Sequence, residues 1–156
     1  MRILVISDTH GDPLSFKEVI QTHSSAEIIV HCGDGDREAD FIKNNYKDKM
    51  VVAVKGNCDF GSTLPSTEIF SACGKKIMVT HGHLYNAKST LYNLLCSAKE
   101  NQVDIILFGH THNPISTCVD DIYMLNPGSC HGYRASYGFV DILKNGDIVT
   151  NTAILK

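Results

Sequence analysis

The chain has 156 residues, of which 43% are hydrophobic and 20% are charged. This composition is that of an ordinary folded domain, and it excludes disordered, collagen-like and coiled-coil proteins. The formal net charge of −3 argues against a broad basic surface for nucleic acid or for an anionic membrane. Any site for an anionic ligand must therefore be local. The length predicts one domain, covering residues 1–156.

Two features of the sequence favour a cytoplasmic protein. The apolar run that follows Arg2 is too short for the core of a signal peptide or for a membrane span. The six cysteines include no C-x-x-C pair, unlike a disulfide framework or a thiolate zinc module. We therefore expect reduced thiols and no membrane association.

The first third of the chain alternates strands with helices. Short β-branched apolar runs predict strands that are covered on both faces, and the segments between them show helical spacing. Asp12 before Pro13 is typical of a helix start. The predicted strands cover 2–7, 27–32 and 50–54, and the predicted helices cover 13–23 and 36–46.

The rest of the chain is richer in strands. Cys73-Gly74 predicts a tight hairpin turn, and Asp120-Asp121 and Asn145-Gly146-Asp147 predict two further turns. A helix is expected near 88–101. The predicted strands here cover 67–72, 75–80, 104–108, 115–119, 122–125, 137–143 and 148–154. Together these elements predict an α/β fold with two mixed sheets packed as a sandwich.

Polar clusters follow five of the predicted strands. Because ligand sites in α/β sheets lie at the carboxyl ends of strands, we expect these clusters to converge on one pocket. The five clusters are Asp8-Thr9-His10-Gly11, Gly33-Asp34-Gly35-Asp36, Gly56-Asn57-Cys58-Asp59, His81-Gly82-His83 and Gly109-His110-Thr111-His112.

The side chains of these clusters are suited to metal ions. They supply carboxylate, imidazole and amide oxygen without an obligatory thiolate, a set that fits Mn²⁺, Fe²⁺, Ni²⁺ or Zn²⁺. The candidates are too many for one tetrahedral ion, so we expect two ions about 3.5 Å apart that share a carboxylate. Mn²⁺ is the expected ion, with Mg²⁺ as a further alternative. The candidate ligands are Asp8, His10, Asp34, Asn57, His81, His110 and His112.

The order D-x-H, G-D, G-N, H-G-H and G-H-x-H resembles the calcineurin-like metallophosphoesterase family, and Asn126-Pro127-Gly128-Ser129 extends the match. The short chain is similar to the small bacterial and archaeal phosphodiesterase branch, which implies an αββα sandwich. The resemblance also implies that Asp34 bridges two ions, with a bridging hydroxide attacking phosphorus in line. The implied ligands are Asp8, His10 and His112 for one ion, and Asn57, His81 and His110 for the other.

Several further residues have either a functional or a structural reading. The resemblance adds Asn57 as a catalytic and substrate-binding residue. His83 either touches the phosphate or supports the ligands, and Asp59 either orients a ligand or substrate group or is an ordinary surface carboxylate. Ser129 either binds an anion or belongs to an ordinary turn.

Other polar residues favour structural roles. Asp36 is expected to cap a helix, His31 to lie in the core or behind the ligands, and His23 to be solvated at a helix end. Tyr133 and Arg134 are weaker candidates for substrate contact.

One position departs from the pattern of many family members. Cys58 replaces the histidine that follows the metal-binding Asn and is thought to protonate the leaving group. A thiol, with a reference pKa of about 8.5, is a poor general acid unless it is perturbed. We therefore expect a preference for activated leaving groups, or protonation by a metal ion, His83 or water.

Two other functions are weighed against a phosphodiesterase. A scaffold like the small subunit of retromer shares the motifs H-G-H, G-H-T-H and N-P-G-S but lacks the bridging Asp and the metal-binding Asn, whereas Asp34 and Asn57 are present here. A nuclease is disfavoured by the negative net charge. The expected partner is a small phosphate ester. Strands near 67–80 and 137–143 could supply a free edge for a homodimer.

Overall fold

Ten strands and three helices follow one another along the chain, and the computed structural model describes all of residues 1–156. In the first half lie β1 (Arg2–Ile6), α1 (Ser15–Thr22), β2 (Ile28–His31), α2 (Asp36–Asn45), β3 (Met50–Ala53), β4 (Thr67–Ala72) and β5 (Lys75–Thr80). In the second half lie α3 (Tyr92–Asn101), β6 (Ile105–Leu107), β7 (Ile115–Val119), β8 (Ile122–Asn126), β9 (Ser136–Ile142) and β10 (Ile148–Ile154). Short 3₁₀ turns occupy His83–Tyr85 and Gly132–Arg134.

The strands form two five-stranded mixed sheets, as predicted. The first has the order β10-β9-β1-β2-β3, in which β1, β2 and β3 are parallel and β9 pairs antiparallel with both β1 and β10. The second has the order β4-β5-β6-β8-β7, with β5, β6 and β8 parallel. Each sheet thus has a parallel centre whose strands all end at the same edge.

Three apolar layers hold the sandwich together. Alternate residues of β1 point to opposite faces, so Ile3 packs between the two sheets while Leu4 packs against α1 and α2. On the outer face of the second sheet, Met78 packs with Leu94 of α3. The order helix, sheet, sheet, helix confirms the predicted αββα architecture, and it explains why the central strands read as continuous apolar runs.

The hairpin between β4 and β5 turns where the sequence predicted. Cys73 and Gly74 have φ angles of 48° and 75°, the left-handed values that a two-residue type I′ turn requires at both positions. Ala72 therefore pairs directly with Lys75.

Two helices begin later than expected. The carboxylate of Asp12 accepts hydrogen bonds from the N–H groups of Leu14 and Ser15. The helix itself starts at Ser15 with Leu14 at its N-cap, so Asp12 stabilises the turn before the helix, and the prediction that Pro13 is the first helical residue is wrong.

The helix expected from residue 88 starts at Tyr92. The 3₁₀ turn ends at Asn86, which has a left-handed φ of 55°. Further turns follow, in which the Asn86 carbonyl accepts from the N–H groups of Ser89 and Thr90.

One of the two edges predicted for a homodimer is wrong. The strand expected at 137–143 lies inside its sheet, because β10 pairs along its whole length. The strand β4 does form an edge of the second sheet. None of the helices has both the length and the apolar character needed to cross a membrane.

Candidate metal centre

The five polar clusters meet at one edge of the sandwich. They follow β1, β2 and β3 in the first sheet and β5 and β6 in the second, all at the carboxyl ends of parallel strands. Backbone hydrogen bonds join neighbouring loops, as between the Asp8 N–H and the Gly33 carbonyl at 2.9 Å and between the Gly109 N–H and the His81 carbonyl at 3.0 Å. The convergence expected from strand order is therefore present in the structure.

Asp8, His10 and His112 form the first group. The Nε2 atom of His112 lies 3.1 Å from Oδ1 of Asp8, and the Nε2 atom of His10 lies 3.8 Å from the same oxygen. The two Nε2 atoms are 3.3 Å apart. These three donors therefore point at one small volume.

Asp34, Asn57 and His81 form the second group. The Nε2 atom of His81 lies 3.3 Å from Oδ2 of Asp34 and 3.2 Å from Oδ1 of Asn57. Its Nδ1 atom is 2.7 Å from the Cys32 carbonyl, to which it donates, so Nε2 is left for a ligand. The ring of His110 lies 5.0 Å from that of His81, centroid to centroid.

Asp34 lies where the two groups meet. Asp34 belongs to two clusters of three side chains, and in each cluster the possible ligand atoms all lie within 4.8 Å of one another. One cluster joins Asp34 with His10 and Cys58, and the other joins it with Asp8 and His81. No other residue of the centre belongs to a shared cluster with both Cys58 and His81. A carboxylate in this position has access to both groups.

Asp8 carries the observation that points most directly to a cation. Its side chain is completely buried, and Oδ2 accepts hydrogen bonds from Ser7 and from the His110 N–H, but Oδ1 has no hydrogen-bond partner. An unpaired buried carboxylate oxygen is costly. Nε2 of His81 lies 3.9 Å from it, in addition to the two imidazoles of its own group. The donors therefore fit a divalent cation.

The carboxylates and imidazoles of the centre also shift one another's pKa values. Burial opposes ionisation of Asp34, but hydrogen bonds from His81 and from the Cys58 N–H outweigh burial and hold the pKa of Asp34 well below its usual range. Burial also opposes protonation of His81, yet the hydrogen bond to Asp34 and the charges of Asp8 and Asp34 raise the pKa of His81. The carboxylates thus favour positive charge between them.

The backbone at the centre is strained. Left-handed φ angles occur at five of the seven predicted ligands: Asp8 (54°), His10 (46°), Asp34 (57°), His110 (69°) and His112 (59°). Such angles are uncommon outside glycine and concentrate at functional sites. The loops therefore adopt a conformation that serves the placement of these side chains.

Residues 1–145 match the sequence model of the calcineurin-like phosphoesterase superfamily domain. The chain belongs to this superfamily. Membership implies divalent metal ions and a phosphoesterase activity, and it agrees with the donor set described above.

The chain is similar in sequence to two bacterial proteins and in fold to a third protein. It is 36% identical over 130 residues to the probable metallophosphoesterase YsnB of Bacillus subtilis, covering 83% of this chain and 75% of that one. It is 28% identical to the phosphodiesterase YfcE of Escherichia coli, covering 90% and 88%. The structure of vacuolar protein sorting 29 from Cryptosporidium parvum superposes with a TM-score of 0.77 at 17% identity, covering 99% and 97%, and shows a shared fold.

Asp59 links two of the loops that form the candidate metal centre. Its Oδ1 accepts from the N–H groups of Gly35 and Asp36 at 2.9 and 3.0 Å. Its Oδ2 accepts from those of Asp34 and Gly56 at 2.8 and 2.7 Å. One carboxylate thus ties the loop that carries Asp34 to the loop that carries Asn57.

The helix cap expected from Asp36 is wrong. Asp36 is the first residue of α2, and its Oδ1 accepts a hydrogen bond from the Ser62 hydroxyl at 2.9 Å. The N–H groups at this helix start are capped by Asp59, which lies 23 residues further along the chain than Asp36. A cap supplied from another loop leaves no local signal in the sequence.

Two glycines leave room for the ligands. A Cβ atom at Gly56 would collide with the Asp34 carboxylate, and one at Gly109 would collide with the Ser7 hydroxyl and the Asp8 carboxylate. The close approach of backbone to carboxylate explains the glycine in these two motifs.

The remaining predicted site residues surround the ligands. The ring of His83 lies 5.3 Å from that of His81 and 6.1 Å from that of His110, so it faces the same space. Cys58 is exposed, and hydrogen bonding to Asp34, reinforced by burial, raises the pKa of its thiol. The Ser129 hydroxyl donates to the Asp8 carbonyl at 2.8 Å and so anchors the first ligand loop. Tyr133 and Arg134 lie in the exposed 3₁₀ turn.

Sequence reasoning did not assign the supporting roles of three residues. Ser7 and Asn126 are completely buried: the Ser7 hydroxyl donates to Asp8, and the Asn126 amide donates to the Gly109 carbonyl at 2.7 Å. His131 donates from Nδ1 to the Thr9 carbonyl, with its ring 6.3 Å from that of His10. Polar residues at the ends of buried strands were a signal for Ser7 and Asn126; His131 left none.

His31 is buried behind the ligand loops, as expected. Its Nδ1 accepts from the Gly33 N–H at 3.2 Å, so Nε2 carries the proton and donates to the Thr9 hydroxyl at 3.1 Å. That hydroxyl in turn donates to the Glu38 carboxylate. Burial lowers the pKa of His31 to about 4, which keeps the ring neutral.

The solvated position expected for His23 is wrong. Its ring packs against Tyr137, with the centroids 4.8 Å apart, and burial lowers its pKa. Side chains of β9 thus cover the His23 ring where it follows the end of α1.

We predict that His31→Gln makes the free energy of unfolding less dependent on pH in the acid range. The pKa of His31 falls from 6.5 in the unfolded chain to about 4 in the folded one. As the pH falls, the unfolded state therefore takes up the proton first. The contribution of the neutral His31 to the free energy of unfolding is complete above pH 6.5 and is lost as the pH falls towards about 4. The native protein should lose about 3 kcal/mol more than the variant across this interval. Urea unfolding at several pH values measures the difference, and parallel curves for the two proteins would contradict it.

We predict that Asp59→Asn weakens metal binding by about 10–100-fold, the usual effect of losing a residue that orients ligands. An amide has one acceptor oxygen and cannot hold four N–H groups in two loops. Titration calorimetry with Mn²⁺ measures the affinity, and the exposed Asp48→Asn is the matched control. Equal affinity in both variants would show that Asp59 does not organise the loops.

Proposed function

We propose that the protein is a phosphodiesterase that uses two divalent cations to hydrolyse small phosphate esters by in-line attack of hydroxide. The observation that carries this proposal is the buried Oδ1 atom of Asp8, which lacks a hydrogen-bond partner and lies 3.1–3.9 Å from three imidazole nitrogens. Superfamily membership supports the reaction class. The phosphodiesterase name of the relative YfcE supports the ester class.

The residues divide between two cations. The proposed ligands of the first cation are Asp8, His10 and His112, and those of the second are Asn57, His81 and His110. Asp34 is the proposed bridge, because it clusters with residues of both groups. Its low pKa keeps the carboxylate ionised in the neutral range.

When bound, the cations supply positive charge that lowers the pKa of water towards neutrality and offsets charge on the phosphoryl oxygens. The protein contributes the positions of the groups around that charge. Asn57 and His83 lie beside His81, where they can donate hydrogen bonds to phosphoryl oxygens. Attack by water needs no nucleophilic side chain, and Cys58, with its raised pKa, remains a protonated thiol.

Mn²⁺ is the ion we propose, because Asp8, Asp34 and Asn57 supply carboxylate and amide oxygens, which suit it. The negative net charge and the small size of the centre favour a small ester over a nucleic acid. We place the protein in the cytoplasm, since its cysteines form no disulfide.

A non-catalytic scaffold is the second candidate, and the observation that favours it is the shared fold with vacuolar protein sorting 29. Asp34 and Asn57 weigh against it, because a scaffold has no need for a buried carboxylate and an amide around one imidazole. The orphan oxygen of Asp8 is costly to keep without a cation.

We predict that Mn²⁺ binds at two ions per chain and restores hydrolysis of a chromogenic phosphodiester after chelation. Asp34→Asn should lose at least one ion and reduce turnover by about 10²-fold or more, because the bridging charge is removed. Metal analysis and steady-state rates provide the measurement, with the exposed Asp40→Asn on α2 as control. A fully active Asp34→Asn variant would refute the bridging role.

We predict that Cys58→His raises turnover of alkyl esters relative to activated aryl esters by about tenfold or more, within the usual range for a general acid. An imidazole in this position can protonate a poor leaving group, which the thiol does not do. Rates on paired aryl and alkyl diesters test this, and Cys58→Ser serves as the matched control of similar size. An unchanged ratio in the histidine variant would overturn the explanation.

A further inference from the structure

A cleft of about 460 Å³ opens directly beside the candidate metal centre. Its lining includes His10, Asp34 and Cys58 on the side of the centre, and the start of α2 together with Phe60 on the other. Ligand sites in proteins commonly have volumes of about 300–1,000 Å³. The cleft is therefore large enough for the organic group of an ester whose phosphate lies at the centre.

Phe60 gives the cleft an exposed aromatic surface. Its side chain is 93% exposed and belongs to none of the three apolar clusters of the core. An aromatic ring in such a position can stack on a flat ligand ring, and this contact is tolerant of the identity of the ring. Arg37 lines the same cleft and adds a planar guanidinium on which a flat ring also stacks.

Two carboxylates of the cleft retain free acceptor oxygens. Asp36 uses Oδ1 for the Ser62 hydroxyl, and Glu38 uses Oε2 for the Thr9 hydroxyl. Their other oxygens accept no hydrogen bond from the protein. Asp59 differs, because four backbone N–H groups occupy both of its oxygens. The cleft can thus accept hydrogen bonds from the hydroxyl groups of a ligand.

The charge of the cleft disfavours a ligand with further anionic groups. Besides the proposed metal ligand Asp34, three carboxylates and one guanidinium line it, from Asp36, Glu38, Asp59 and Arg37. A second phosphate or a carboxylate on the ligand would be repelled by this excess of negative charge. A long alkyl chain finds little apolar wall, since the lining is mostly polar. A neutral ring that bears hydroxyl groups meets both requirements.

We propose that this cleft binds a nucleoside portion of the substrate, with Phe60 stacked on the base and the carboxylates of Asp36 and Glu38 accepting hydrogen bonds from the ribose hydroxyls. The proposal rests on the proposed phosphodiesterase function and names its substrate class. The substrate is then a nucleoside phosphodiester with no further anionic group on the side of this cleft.

Two chromogenic esters that release the same leaving group test this specificity. One is the para-nitrophenyl ester of uridine monophosphate, and the other is para-nitrophenyl methyl phosphate. Because the nitrophenolate released is identical, a difference in kcat/KM reports the retained group. The Mn²⁺-loaded protein should prefer the uridine ester by about tenfold or more. Equal values of kcat/KM for the two esters would overturn the proposal and leave the phosphodiesterase function intact.

Variants at Phe60 assign the preference to the cleft. Phe60→Ala should abolish most of the preference through KM of the uridine ester, while Phe60→Tyr should keep it. The matched control is Tyr92→Ala, an aromatic side chain that is 68% exposed at the start of α3 and does not line the cleft. An equal loss on both esters in Phe60→Ala would contradict a role in recognising the nucleoside.

Binding of uridine itself separates this proposal from the proposed function. Uridine carries no phosphate, so its binding does not require catalysis. In the Mg²⁺-loaded protein, NMR titration with uridine should shift the amide signals of Gly11, Gly35 and Phe60 in a saturable manner, and Phe60→Ala should lose these shifts. If neither ester is hydrolysed but these shifts are present, the proposed function fails and the cleft proposal stands. Absence of the shifts in the native protein would refute the cleft proposal.

Discussion

The site depends on one constraint: carboxylate oxygens and imidazole nitrogens are crowded together where the parallel strands of both sheets end. Asp8 is completely buried, and its Oδ1 has no donor although three Nε2 atoms lie within 3.9 Å of it. Without positive charge such an arrangement is unfavourable, because the buried carboxylates lack full solvation. A divalent cation offsets this cost, and the folded loops provide the donors in advance.

The loops maintain this crowding through contacts behind the ligands. Asp59 fixes the distance between the loops of Asp34 and Asn57, and Ser129 fixes the loop of Asp8. Both contacts hold residues with left-handed backbone, Asp34 and Asp8, and this conformation costs free energy at each residue. The sandwich below supplies a rigid base, since three apolar layers hold the strands from which the loops emerge.

Much of this arrangement could be predicted from the sequence, because it depends on local signals. Apolar runs predicted the strands, Cys73-Gly74 predicted the hairpin, and the order of the motifs predicted which loops converge. Contacts between distant residues left no such signal. Asp59 caps α2, Tyr137 covers His23, and His131 donates a hydrogen bond to the Thr9 carbonyl. Each depends on how loops and strands pack in space, which residue spacing does not encode.

The central claim, that the donors around Asp8 and Asp34 hold two cations, is tested most directly by anomalous diffraction from crystals soaked with Mn²⁺. The account predicts two anomalous peaks on either side of the Asp34 carboxylate. One should lie in contact with Asp8, His10 and His112, and the other in contact with Asn57, His81 and His110. The absence of any peak within coordination distance of Oδ1 of Asp8 would contradict the account.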